Sequence, residues 1–198
     1  TRTEDPAPFA QAIADNPYAG SWASAASMNT ARLRLGGAGT PSASLAFGGS
    51  EPSLSAKTES WNGSAWSEVN DMNTARRSKA GTGTQTSAIQ GGGYSTTNVT
   101  NAETWNGSNW TEVAEINTAR RSAAGIGTAS GSLLSGGITT ARVAVNESWN
   151  GSAWTEVNDL NTARGNIAGG GTTTAGIVFA GDSPALSPNN AALTETWN

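Results

Sequence analysis

The chain has 198 residues, with 11 Lys and Arg against 15 Asp and Glu, and a formal net charge of −4. An acidic chain is a poor match for phosphate backbones, so nucleic acid is not an expected partner. Cysteine and histidine are both absent, which excludes disulfides, thiolate nucleophiles and histidine-based catalysis or metal binding, and no cofactor or metal is expected. No apolar run approaches the roughly 18 residues of a membrane helix, so membrane insertion is not expected.

Residues 1–18 stand apart from everything that follows. This arm holds three prolines (Pro6, Pro8, Pro17) and two aromatics, Phe9 and Tyr18. An apolar-bearing arm with no place in a repeat is expected to dock on a neighbour, with Phe9 and Tyr18 as candidate contacts to copies of the chain or to other structural proteins.

From residue 19 the chain is periodic. The string NTAR occurs at Asn29–Arg32, Asn73–Arg76, Asn117–Arg120 and Asn161–Arg164, each 44 residues after the last. A second string, E-[ST]-W-N, ends at Asn62, Asn106, Asn150 and Asn198. Repeats of this length are the mark of stacked or radially arranged supersecondary units. The tryptophans fall into pairs, Trp61/Trp66, Trp105/Trp110 and Trp149/Trp154, leaving Trp197 and Trp22. Trp22 precedes Asn29 by the same interval that separates Trp66 from Asn73, so GSWASAASM at 20–28 reads as a degenerate copy of GSAWSEVNDM. The expected units are 29–72, 73–116, 117–160 and 161–198, the last completed by 19–28.

Each unit reads as four short strands. A first run is rich in glycine and alanine, such as Ala124-Gly125-Ile126-Gly127. A second ends in a glycine pair, as in Ser44–Gly49 (SLAFGG). A third ends in the first Trp. An Asn-Gly signal at 62–63, 106–107 and 150–151 then predicts a type I′ hairpin into a fourth strand carrying the second Trp. Strands of this length, with turn signals every 8–12 residues and no helical period, predict an all-β four-bladed propeller. Its ring is expected to close by pairing of the N-terminal strand into the last blade. Small residues would line the crowded axis, and Trp22, Trp61, Trp66, Trp105, Trp110, Trp149, Trp154 and Trp197 would fill the gaps between blades.

The glycine doublets Gly48-Gly49, Gly92-Gly93 and Gly136-Gly137, the paired aromatics and the downstream Arg resemble the kelch repeat over residues 19–198. Ala180-Gly181 departs from the doublet, and the kelch pattern often has Tyr at the first Trp. The regular WNGSxW and LNTAR strings also resemble repeat proteins of aquatic phages. That resemblance implies a non-enzymatic structural role on a virion, as a fibre or capsid-surface protein. Kelch-domain oxidases use copper with His, Tyr and Cys ligands, a set this chain lacks.

Recurring charges suit a structural role. Arg32, Arg76, Arg120 and Arg164 share one repeat position, and Glu59, Glu103, Glu147 and Glu195 share another. An Arg fork satisfies a buried carboxylate well, so these are expected to pair. No phosphate-loop or calcium-loop spacing occurs, and the serines have no histidine partner for triad chemistry. Function is therefore sought in what does not repeat. The loops Ser50–Lys57, Tyr94–Asn101, Ile138–Val145 and Asp182–Leu193 are expected on one face, with Tyr94 a candidate contact and Asn98 a candidate glycosylation site. The leading expectation is a virion component or extracellular filament subunit. A module recognising a glycan or host surface protein through these loops is the alternative.

Overall fold

A computed structural model describes residues 22–77, 80–184 and 192–198. The described chain is all-β, and its four antiparallel sheets are arranged as the blades of a four-bladed β-propeller. The first blade contains β1 (Gly36–Thr40) and β2 (Ala43–Phe47). A small hairpin, β3 (Ser50–Glu51) and β4 (Ser53–Leu54), interrupts it before β5 (Thr58–Trp61) and β6 (Trp66–Val69). The second contains β7 (Gly81–Thr84), β8 (Ser87–Gly91), β9 (Ala102–Trp105) and β10 (Trp110–Val113). The third contains β11 (Ala124–Thr128), β12 (Gly131–Ile138), β13 (Arg142–Trp149) and β14 (Trp154–Val157). The fourth has three strands, β15 (Ala168–Thr172), β16 (Ala175–Phe179) and β17 (Thr194–Trp197).

Within each blade the strands run in chain order as an antiparallel meander. The first and second tryptophans are direct cross-strand partners: Trp61 opposite Trp66, Trp105 opposite Trp110 and Trp149 opposite Trp154. The hairpin between them is a four-residue loop and not the two-residue type I′ turn expected from Asn-Gly. Only the glycine takes the left-handed conformation, at φ 93° for Gly107. The Asn106 carboxamide oxygen accepts the backbone N–H groups of Ser108 and Asn109, both at 2.9 Å. This side-chain bridge substitutes for the positive φ that a type I′ turn would demand of the asparagine.

The glycine-rich first strands lie against one another. A Cβ on Gly81 would meet the Phe47 ring and the Gly37 carbonyl, and one on Gly125 would meet the Gly81 carbonyl. The close approach of backbones, which only residues this small allow, explains why glycine is tolerated in a strand.

The core lies between blades. Leu45, Phe47 and Met72 of the first unit pack with Ala88, Trp105 and Trp110 of the second. Ile89, Ala102 and Ile116 pack with Ala123, Leu134, Trp149 and Trp154. Ala124, Ile126 and Leu133 pack with Ile167, Val178 and Trp197. A buried Trp ring such as that of Trp105 or Trp149 removes about 150–250 Å² from water, a gross gain of roughly 4–6 kcal/mol, and offsets the scarcity of aliphatic side chains.

The expected closure of the last blade by residues 19–28 is corrected. Residues 22–28 form no strand, Trp22 is fully exposed, and among the described residues β17 pairs with β16 alone. Residues 19–21 lie outside the described residues, as do residues 1–18 with Phe9 and Tyr18. The physical reason is connectivity. The fourth strands of the other blades are zipped on by a four-residue hairpin, whereas residues 22–28 lie far from β17 in sequence, and pairing them carries the full entropy of closing that long loop. Its sequence, with Ala and Ser where WSEV has Glu and Val, also offers fewer cross-strand contacts.

Candidate functional site

Two polar systems occupy the end of the blades where the NTAR turns and the long loops meet. The first is buried and repeats. Glu59, Glu103 and Glu147 are fully buried, as are Arg76, Arg120 and Arg164. Arg32 pairs with Glu59 at 2.9 Å and Arg164 with Glu195 at 2.7 Å, and Arg76 pairs with Glu103 and Arg120 with Glu147.

Each carboxylate does more than pair. The Glu103 carboxylate accepts the backbone N–H of Asn73 at 2.7 Å and of Thr74 at 3.3 Å, and the same contacts recur at Glu59 and Glu147. Each guanidinium also donates to the carbonyl of the residue at the first doublet position: Gly48, Gly92, Gly136 or Ala180. One Arg–Glu brace thus fastens the turn, the doublet and the third strand of every blade. Burial alone would raise the Glu147 carboxyl pKa. The hydrogen bonds from Arg120 and Asn117 and the Arg120 charge outweigh it and hold that carboxyl below its ordinary range. Burial lowers the pKa of Arg76, against the raising influence of Glu103.

The second system is half-buried, and its side chains do not repeat. After each brace the next residue bridges to the residue beyond the glycine doublet: Leu33 to Ser50, Arg77 to Tyr94, Arg121 to Ile138 and Gly165 to Asp182. These positions share one face, and two of them carry arginine. The Arg77 guanidinium lies 4.5 Å from the Tyr94 ring centroid and that of Arg121 lies 5.3 Å from it. Cation–π attraction at such distances holds the ring between the two charges. No carboxylate pairs with Arg77 or Arg121 among the described residues.

Asn98 completes the cluster and is committed to structure. Its amide donates to the carbonyls of Ile138 at 3.0 Å and Thr139 at 2.9 Å, while its carbonyl accepts from Arg121 at 2.7 Å. A side chain with its nitrogen engaged twice is a poor glycan acceptor, and its evident role is to tie the second blade to the third. Arg142 and Asp182 tie the third to the fourth, the Arg142 Nε lying 2.9 Å from the carboxylate. Burial would raise the Asp182 pKa, but the hydrogen bonds from Arg142 and Asn166 bring it below its ordinary value.

Sequence reasoning located Tyr94 and Asn98 but missed Arg77, Arg121 and the Arg142–Asp182 pair. The available signal was the doubled arginine at Arg76-Arg77 and Arg120-Arg121, which the other two units lack.

Between the third and fourth blades lies a shallow cleft, open to solvent, whose lining includes Asn146, Leu160, Val178, Thr196 and Trp197. Among the described residues no group of His, Cys, Asp or Glu is placed to hold a metal ion, and no helix is long and apolar enough to cross a membrane. The sequence matches no protein family and no curated protein.

Proposed function

We propose that this chain is a non-enzymatic assembly protein, a building unit of a particle or filament surface. The observation that carries the reading is the fourth blade, whose last strand has no second partner among the described residues and whose β16 leaves Ile177 and Phe179 exposed at 38% and 41%. An apolar sheet face beside an unpaired edge is a template for another chain. The kelch-like and phage-repeat resemblance supports placing that unit on a phage virion, as a fibre or capsid-surface component, or in an extracellular filament. Residues 1–18, with Phe9 and Tyr18, would add subunit contacts. Electron microscopy of the purified protein and of its native source tests this reading. Rings, fibres or decorated particles support it, and dispersed single modules in both preparations contradict it.

A second reading rests on the Tyr94 ring held between Arg77 and Arg121. Two guanidinium groups without carboxylate partners among the described residues favour an anionic ligand, such as an acidic glycan or an acidic loop of a surface protein. Binding to an array of acidic glycans that Tyr94→Ala and Arg77→Ala both abolish would support recognition through this face. An array on which the unaltered protein binds nothing acidic would contradict it.

A further inference from the structure

Three vacancies in this structure have one shape in common. The first is the cleft between the third and fourth blades. At the preceding boundary Trp154 packs against Ile89 and Ala102 of the second blade, and at the one before it Trp110 packs on Leu45 and Phe47 of the first. Among the described residues the fourth blade presents no second tryptophan, and the cleft is found at its boundary with the third. The wall even holds the matching polar group. Trp110 donates its indole N–H to Thr58 Oγ1 at 2.9 Å, and Asn146, which lines the cleft, occupies the repeat position of Thr58.

The second vacancy is the outer face of β16. Ile177 stands at the repeat position of Leu45, Ile89 and Leu133, each buried to within 2% by the blade that follows. Among the described residues no blade covers that face of the fourth, and Ile177 is exposed. The third vacancy is on the first blade. A Cβ on Gly81, Gly125 or Gly169 would meet atoms of the preceding blade, whereas one on Gly37 would meet only the Leu45 carbonyl of its own sheet.

We infer that these vacancies are filled together by a second copy of this chain, joined head to tail. The cleft is a socket for Trp22 of the second copy, whose residues 22–28 lie along the free edge of β17 while its first blade covers Ile177 and Phe179. Trp22 is fully exposed in the single chain, and its segment stands at the repeat position of an outer strand. That segment leads directly into the first blade, to which it is fastened by the hydrogen bonds from Asn29 and Thr30 to Glu59. A partner built this way continues the boundary already formed three times within the chain. The contact is heterologous, so repeated addition gives either a closed ring of chains or an open fibre.

This inference rests on the assembly reading and names its partner. Its test uses two variants of the full chain. A socket variant carries Ile177→Glu with Phe179→Glu, and a plug variant carries Trp22→Ala with Gly37→Glu. All four positions are exposed, and Gly37 has ordinary backbone angles and open space before it. Sedimentation velocity should show each variant alone as a monomer, an equimolar mixture as a one-to-one dimer, and the unaltered chain as larger assemblies. Trp22→Ala alone should weaken association about thirtyfold or more, as loss of a central aromatic anchor does, and it keeps the test decisive if a glutamate variant does not fold. Association unaffected by these changes would overturn the inference and leave the assembly reading standing. An unaltered chain that stays monomeric, whether Trp22 is then shielded from quencher or open to it, would overturn the inference as well.

Discussion

The indole N–H of Trp110 reaches across the first blade boundary to the Thr58 hydroxyl at 2.9 Å, and at the next boundary the equivalent indole, that of Trp154, is buried with no acceptor. The difference lies in the residue facing it, since the second unit has Ala102 where the first has Thr58. A satisfied neutral hydrogen bond contributes about 1 kcal/mol. Ala102→Thr should therefore raise stability by about that much in urea titration, and Thr58→Val should lower it by about 1–2 kcal/mol. A lower midpoint for Ala102→Thr would show that the added hydroxyl does not reach the indole.

The Arg–Glu brace should be the most sensitive polar feature of each blade. Removing one partner of a buried pair leaves an uncompensated charge, at a cost of about 3–5 kcal/mol. Arg120→Ala is expected in that range, since both side chains of its pair are fully buried. Glu195→Gln should cost less than Glu147→Gln, because the Glu195 side chain keeps 14% exposure and its blade has three strands among the described residues. Equal losses at the two glutamates would contradict this ordering.

Acid should act through the same carboxylates. The Glu147 carboxyl is held below its ordinary value in the folded chain. Its contribution to stability is therefore complete above the unfolded glutamate pKa, about 4.3, and is lost as pH falls through the lower folded value. Asp182 has the same sign. Melting temperature should decline below about pH 4.3, and Glu147→Gln should show a shallower decline from a lower plateau. A variant with an unchanged acid slope would remove Glu147 from this role.

Ala180 sits at φ 57°, where Gly48, Gly92 and Gly136 occupy the same doublet position at 61–64°. A left-handed alanine costs about 1–2 kcal/mol, and glycine returns part of this in unfolded-chain entropy. Ala180→Gly should stabilise by about 0.5–1 kcal/mol. Gly92→Ala should destabilise by more than the same change reversed, because its Cβ would lie 2.5 Å from the Arg120 carbonyl. Thermal melts of the two variants check both signs.

The repeat made most of the fold legible. Tryptophan spacing fixed the cross-strand pairs, and the recurring Arg and Glu positions pointed to the brace, because both depend on residues that return every 44 positions. What was not legible depends on contacts between units at positions that do not recur. Nothing in a single copy distinguishes Asn98 as an inter-blade tie from Asn98 as an exposed loop residue, and the Arg142–Asp182 pair joins residues 40 apart in loops of unlike sequence. The fate of residues 22–28 is not legible for a related reason. Equivalence of position identifies what a segment is built to pair with, not whether the chain brings it there.

The one-sided pairing of β17 among the described residues is tested most directly by amide hydrogen exchange on dilute, monomeric protein. The amides of β17, Thr194–Trp197, should exchange far faster than those of β9 and β13, which are paired on both sides. Equal protection of β17 and β13 in the monomer would mean that a strand of the same chain already covers that edge, and would contradict the open blade.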